Sequence, residues 1–217
     1  MISRCLYGCL SLVLVLATVA DPPGTTPEGP QGTQPERVGP ADEAADAESL
    51  VETWARYAMP GPHHKLLERM AGEWSLRVRY RMTADSPVVE SEGTCRRKWI
   101  LGRRFLLEEF DGGELGLPFQ ALAIYGYDSF VGKYTSVWVD TMSTAMTASQ
   151  GVCAEACERI DFTGRHGDPW TGTTRASRGH TRFVGEDRHV LELFEAGADG
   201  REFMILEITY TRRPPVE

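Results

Sequence analysis

From Trp74 onward the chain repeats one pattern: short runs that alternate apolar and polar residues, separated by turn-forming residues, with almost no helical spacing between them. The first run is the clearest. Trp74, Leu76, Val78, Tyr80 and Met82 alternate with Ser75, Arg77, Arg79 and Arg81, so one face is apolar and the other charged. A period of two is the signature of a strand with one buried face. The next run sets Val89, Ser91, Gly93 and Cys95 against Glu90, Glu92, Thr94 and Arg96. A hairpin pairing Arg81 with Glu90 and Arg79 with Glu92 matches charges outside and side chains inside.

Further runs cover Arg103–Phe110, Pro118–Tyr127, Lys133–Asp140, Ser143–Gln150, Glu158–Thr163, Trp170–Ser177, Thr181–Val184 with Val190–Glu195, and Arg201–Arg212. Between them lie Asp111-Gly112-Gly113, Asp128–Gly132, His166-Gly167-Asp168-Pro169, Gly185-Glu186-Asp187 and Asp199-Gly200, all turn chemistry. About ten short antiparallel strands predict an all-β meander closed into a barrel, with a two-sheet sandwich as the structural rival. Closure also removes edge strands.

The segment before Gly72 reads differently. Ala41–Tyr57 places Leu50, Val51, Trp54 and Tyr57 at three- and four-residue steps, one face of an amphipathic helix. Met59-Pro60-Gly61-Pro62 interrupts it, and His63–Met70 forms a second short helix that Ala71-Gly72 stops. The adjacent His63 and His64 read as surface residues rather than metal ligands, since neighbours diverge around a helix.

The N-terminus carries Arg4, an apolar run from Leu6 to Val19 and small residues at Thr18-Val19-Ala20, so residues 1–20 read as an export signal. Lipidation at Cys9 and an uncleaved anchor are the alternatives. Residues 21–48 are rich in Pro, Gly, Thr and acids, the composition of a disordered tether ahead of a folded domain over 49–213. Once the signal is cleaved, no transmembrane segment remains, and the expected location is periplasmic or secreted. Of the net charge of −8, the signal carries +1 and the tether −6, which leaves the domain nearly neutral. A nucleic-acid binder presents a basic face, so that class is excluded. The cluster Arg96-Arg97-Lys98 reads as a solvated strand end. Cys153 and Cys157 can pair only if the chain turns between them, and unpaired small thiols are the other reading.

Gly61-Pro62-x-His64-Lys65-x-Leu67, Gly72-x-Trp74, Gly102-Arg103 followed by Leu106, Gly126-Tyr127-Asp128 and Trp138-x-Asp140 resemble the bacterial domain-of-unknown-function 1579 family over about Tyr57–Arg213. The resemblance implies a lipocalin-like barrel. Its Gly-x-Trp start is similar to that of the calycins, in which the Trp plugs one barrel end beneath an Arg of the last strand. That assigns structural roles to Gly72, Trp74 and Arg212, or Arg213 in its place.

No catalytic motif is present: there is no Gly-x-Ser-x-Gly, phosphate loop, dinucleotide fingerprint or paired His ligands. Glu108 and Glu109 are neighbours, so on a strand they face opposite sides and form no carboxylate dyad. No metal or cofactor is expected, although His180 and His189 are available to a haem. A ten-stranded barrel is wide enough for a cavity. Tyr134, Ser136, Trp138 and Asp140 share one face, as do Arg103, Phe105, Leu107 and Glu109. The candidate ligand-binding residues are therefore Arg103, Glu109, Tyr134, Trp138, Asp140 and Tyr210, for a small hydrophobic or amphipathic ligand, with a carboxylate suited to Arg103. An enzyme using the cavity, and a structural or partner-binding role, are the alternatives.

Overall fold

The computed structural model describes residues 40–114, 118–154, 157–168, 171–197 and 200–214. The sequence readings for residues 1–39, export signal and most of the tether, lie outside these. Helix α1 spans Pro40–Ala58 and α2 Pro62–Glu68. Ten strands follow: β1 Gly72–Tyr80, β2 Val89–Ile100, β3 Phe105–Glu114, β4 Pro118–Asp128, β5 Lys133–Asp140, β6 Thr147–Ala154, β7 Arg159–Asp168, β8 Thr173–Phe183, β9 Arg188–Ala196 and β10 Glu202–Arg212. Each strand pairs antiparallel with the next, and β10 returns to β1, closing one barrel within the unit Ala44–Glu217. The sandwich alternative is thereby excluded.

The first hairpin corrects the sequence register by two residues. Arg79 stands opposite Glu90 and Arg77 opposite Glu92, so the outer and inner faces are kept while the partners move. Glu90 bonds both Arg77, at 2.9 Å, and Arg79, at 3.1 Å. Strand β1 ends at Tyr80, and Met82 sits exposed in the turn. A Thr83–Ser86 loop knitted by reciprocal side-chain bonds uses up the two residues that a tighter turn would have paired.

Several runs are longer than their local chemistry indicates. Asp111-Gly112-Gly113 is a bulge inside β3, where the β3–β4 register shifts. Gly113 has φ 71°, and a side chain on facing Gly93 would meet the Asp111 carbonyl at 2.1 Å, so glycine is required at both positions. His166–Asp168 continues β7, and Gly179-His180 sits mid-strand in β8. Pairing with β8 at His166–Asp168, and with both β7 and β9 at Gly179-His180, overrides turn propensity.

Helix α2 lies against one barrel end. Its Leu66 and Leu67, with Met70, pack on Leu106, Tyr134, Ile160 and Phe183. His64 is buried at 8% exposure rather than on the surface: its Nδ1 accepts from the Gly61 N–H at 3.0 Å, capping the helix. His63 stacks on Tyr127 at 4.1 Å. Helix α1 covers the helical segment read at Ala41–Tyr57, and its Leu50, Val51 and Trp54 remain exposed.

Candidate functional site

Alternation along each strand sends one set of side chains into the barrel, and these form three levels. At the end covered by α2, Trp74 is fully buried and its Nε1 donates to the Met70 carbonyl at 2.9 Å. The Arg212 guanidinium lies over the indole at 4.2 Å from its centre and donates to the carbonyls of Arg69, Ala71 and Glu186. Gly72, at φ 118°, leaves room for that guanidinium, which a side chain would meet at 2.7 Å.

The next level is polar and enclosed. From β2, β3, β4, β9 and β10 come Arg97, Glu108, Tyr125, His189 and Tyr210. Glu108 is 0% exposed and accepts from Arg97 Nη2 at 3.2 Å, Tyr125 Oη at 2.6 Å and Cys95 Sγ at 3.0 Å. Arg97 Nη1 lies 2.7 Å from His189 Nε2. A guanidinium only donates, so that imidazole nitrogen is the acceptor and the ring is neutral. Burial, then the charges of Arg97, Arg212 and Arg69, push the His189 pKa down to about 2. Burial and the nearby Glu108 carboxylate hold the Tyr125 and Tyr210 hydroxyls well above their usual range. Burial opposes charge on Arg97, but Glu108 together with Cys95, Tyr210 and Tyr125 outweighs it and the guanidinium stays charged. His189 stacks on Tyr210 at 4.3 Å, and the Arg97 guanidinium sits 4.4 Å from the same ring centre. Because the two are hydrogen-bonded to each other, they share one face of the Tyr210 ring.

Beyond this layer the interior opens. Phe119, Trp138, Leu191 and Leu206 pack against the core formed by Trp74, Leu76, Val78 and Phe110, yet all four retain partial exposure. Across β5 to β8 one row of inward positions is occupied by Ser136, Ser149, Gly164 and Ser177, small and partly exposed residues. At the far mouth His166 meets Glu195 at 3.1 Å and Arg175 meets Asp168 at 2.7 Å. Two grooves, of about 660 and 910 Å³, lie instead on the outer wall. Arg96, Gln120 and Leu122 border one, and Arg165, Arg178 and Phe194 the other.

The structure separates the expected ligand-binding residues. Arg103 stands in the β2–β3 turn, exposed, with φ 65° and an ion pair to Glu68. Glu109 points outward and bonds Lys98 at 2.7 Å. Neither reaches the interior, because the β2–β3 register turns Leu106, Glu108 and Phe110 inward and sends Phe105, Leu107 and Glu109 out. The buried carboxylate is Glu108. Tyr134 is inward but lies under α2, its hydroxyl 3.3 Å from the His63 carbonyl. Asp140 holds the Trp138 indole N–H at 2.8 Å. Tyr210 belongs to the enclosed layer. The two candidate haem histidines do not share a site, since His180 faces outward to Glu192 at 2.7 Å.

Arg97, Glu108 and Tyr125 were absent from the sequence-derived site, and His189 entered only as a candidate haem ligand. One signal could have found Arg97: continuing the β2 alternation past Gly93 and Cys95 places it on the inner face, not at a solvated end. For Glu108, both faces of its run are equally apolar, so alternation is silent.

The family described as "Protein of unknown function (DUF1579)" matches residues 59–212. The chain belongs to this family. Its matched span begins just before α2 and ends at Arg212, so it contains the whole barrel. Among solved structures, the crystal structure of Rv2717c from M. tuberculosis is similar, with TM-score 0.52 and 13% identity over 72% of this chain and 100% of that one. At that identity the likeness is one of fold. A search of curated proteins gives no match.

Proposed function

We propose that this DUF1579 member is a non-enzymatic binding barrel of the calycin kind that takes a small amphipathic molecule into its interior. The observation that carries the reading is the partial exposure of Phe119, Trp138, Leu191 and Leu206, inward-facing apolar side chains in a closed barrel. Apolar surface left wet inside a container gains free energy when an apolar guest covers it. Trp138, oriented by Asp140, is the principal wall, and the small row of Ser136, Ser149, Gly164 and Ser177 leaves space beside it. The ionic cluster at the mouth keeps the entrance hydrated. Titration with octan-1-ol, read by tryptophan fluorescence, tests this: saturable binding is expected, weakened about tenfold in Trp138→Ala. Octan-1-ol that neither binds nor displaces a native ligand seen by mass spectrometry after mild purification would overturn the reading.

The barrel is also proposed to act outside the cytoplasm. The signal-like residues 1–20 support this, as does the bond between Cys153 and Cys157, whose Cα atoms are 5.2 Å apart. N-terminal sequencing of protein recovered from an extracytoplasmic fraction should begin after Ala20; an N-terminus at Met1 refutes export with cleavage.

A further inference from the structure

Two polar atoms in the enclosed layer, Arg97 Nε and Tyr210 Oη, have no hydrogen-bond partner among the described residues although both are fully buried. The other groups of that layer are engaged: Glu108 accepts from three donors, and His189 Nε2 accepts from Arg97. A buried donor without an acceptor is costly, and native structures rarely leave one. The two atoms belong to side chains in contact, with the Arg97 guanidinium over the Tyr210 ring. Their layer also lies next to the open part of the barrel. Leu191, which is partly exposed, pairs with Ile208, and Tyr210 is one inward step beyond, about 7 Å along the strand.

We infer that this layer is the head-group subsite of the barrel: it receives the polar end of the guest, and that end is an uncharged oxygen, a hydroxyl or carbonyl. The inference rests on the proposed binding of an amphipathic molecule in the interior. Charge decides the class of head group. The layer already holds one cation, Arg97, balanced by one anion, Glu108, with the neutral imidazole of His189 beside Arg97 and Tyr210. The nearby guanidiniums of Arg69 and Arg212 each face a carboxylate, Glu158 at 3.2 Å and Asp187 at 3.0 Å. A carboxylate guest would be a second anion without a counter-charge in an enclosed site. A neutral oxygen accepts from the unused N–H and O–H and adds no charge. The apolar tail of the guest then runs past Leu191 and Leu206 to Trp138.

Affinities of the full chain for octane, octan-1-ol, octan-2-one and octanoate, read by tryptophan fluorescence, test this together with Tyr210→Phe. The alcohol and ketone are expected to bind about tenfold tighter than octane, and tighter than octanoate. Tyr210→Phe is expected to erase most of that preference while leaving octane affinity unchanged, and to keep or raise the Tm of the ligand-free protein, since its hydroxyl serves no partner there. If octanoate binds tightest, or the preference survives in Tyr210→Phe, the head-group assignment falls while the binding barrel stands. A lowered Tm in Tyr210→Phe shows that the hydroxyl is satisfied within the protein, and also overturns the assignment. Binding of none of the four overturns both.

Discussion

At the scale of single residues, the charge at the barrel's centre is the most demanding feature. Arg97 and Glu108 are 2% and 0% exposed at their side chains, so each depends on the other. Glu108→Ala leaves a buried guanidinium unpaired and is expected to cost about 3–5 kcal/mol in urea unfolding, whereas Arg97→Met with Glu108→Met recovers most of it. His189 adds a pH dependence. Its folded pKa lies far below the unfolded value of about 6.5, so the unfolded chain binds the extra proton and acid favours unfolding. The stability it protects is complete above pH 6.5 and declines by about 1.4 kcal/mol per pH unit as pH falls below that. His64, lowered by burial, then by His63 and Arg104, acts in the same direction. His189→Gln keeps an acceptor for Arg97, so its stability measured between pH 7 and 5 should fall less steeply than that of the wild type; equal slopes would show that His189 does not titrate as stated. Little of this was legible in sequence. Arg97 sits between Arg96 and Lys98, both of which point to solvent, and only the continuation of a strand separates it from them.

At the scale of elements, the junction of α2, β1 and β10 ties the barrel shut. One side chain, Arg212, bonds carbonyls on both sides of it and covers Trp74. Arg212→Lys keeps the charge but not the planar fork, and an unfolding free energy lowered by about 1–2 kcal/mol is expected from the lost bonds. An unchanged value would make the contact incidental. The β3 bulge is a second such point. Gly93→Ala drives a methyl group into the Asp111 carbonyl and is expected to cost at least about 2 kcal/mol in denaturant unfolding. The alternation of β1 was plain from Trp74, Leu76 and Val78. The bulge in β3, the end of β7 and the middle of β8 were not, because Gly112-Gly113, His166-Gly167 and Gly179 carry turn chemistry that the strands run through.

At the scale of the whole molecule, closure makes every strand a neighbour of two others. Far-ultraviolet circular dichroism and tryptophan fluorescence should therefore report one coincident unfolding transition; separated transitions would contradict a single cooperative barrel. The amino-acid sequence by itself determined the class of fold, the strand count and the family, because periodicity, turn residues and ordered motifs are local properties. It also determined which residues of β1 face inward. What only the tertiary structure decided is which residues meet. Register between strands is a non-local quantity: it placed Glu108 rather than Glu109 inside, left Arg103 outside with Glu68, and brought Arg97, His189 and Tyr210 together from β2, β9 and β10. A side chain's neighbours across a barrel depend on how every intervening strand is paired, and no local pattern records that sum.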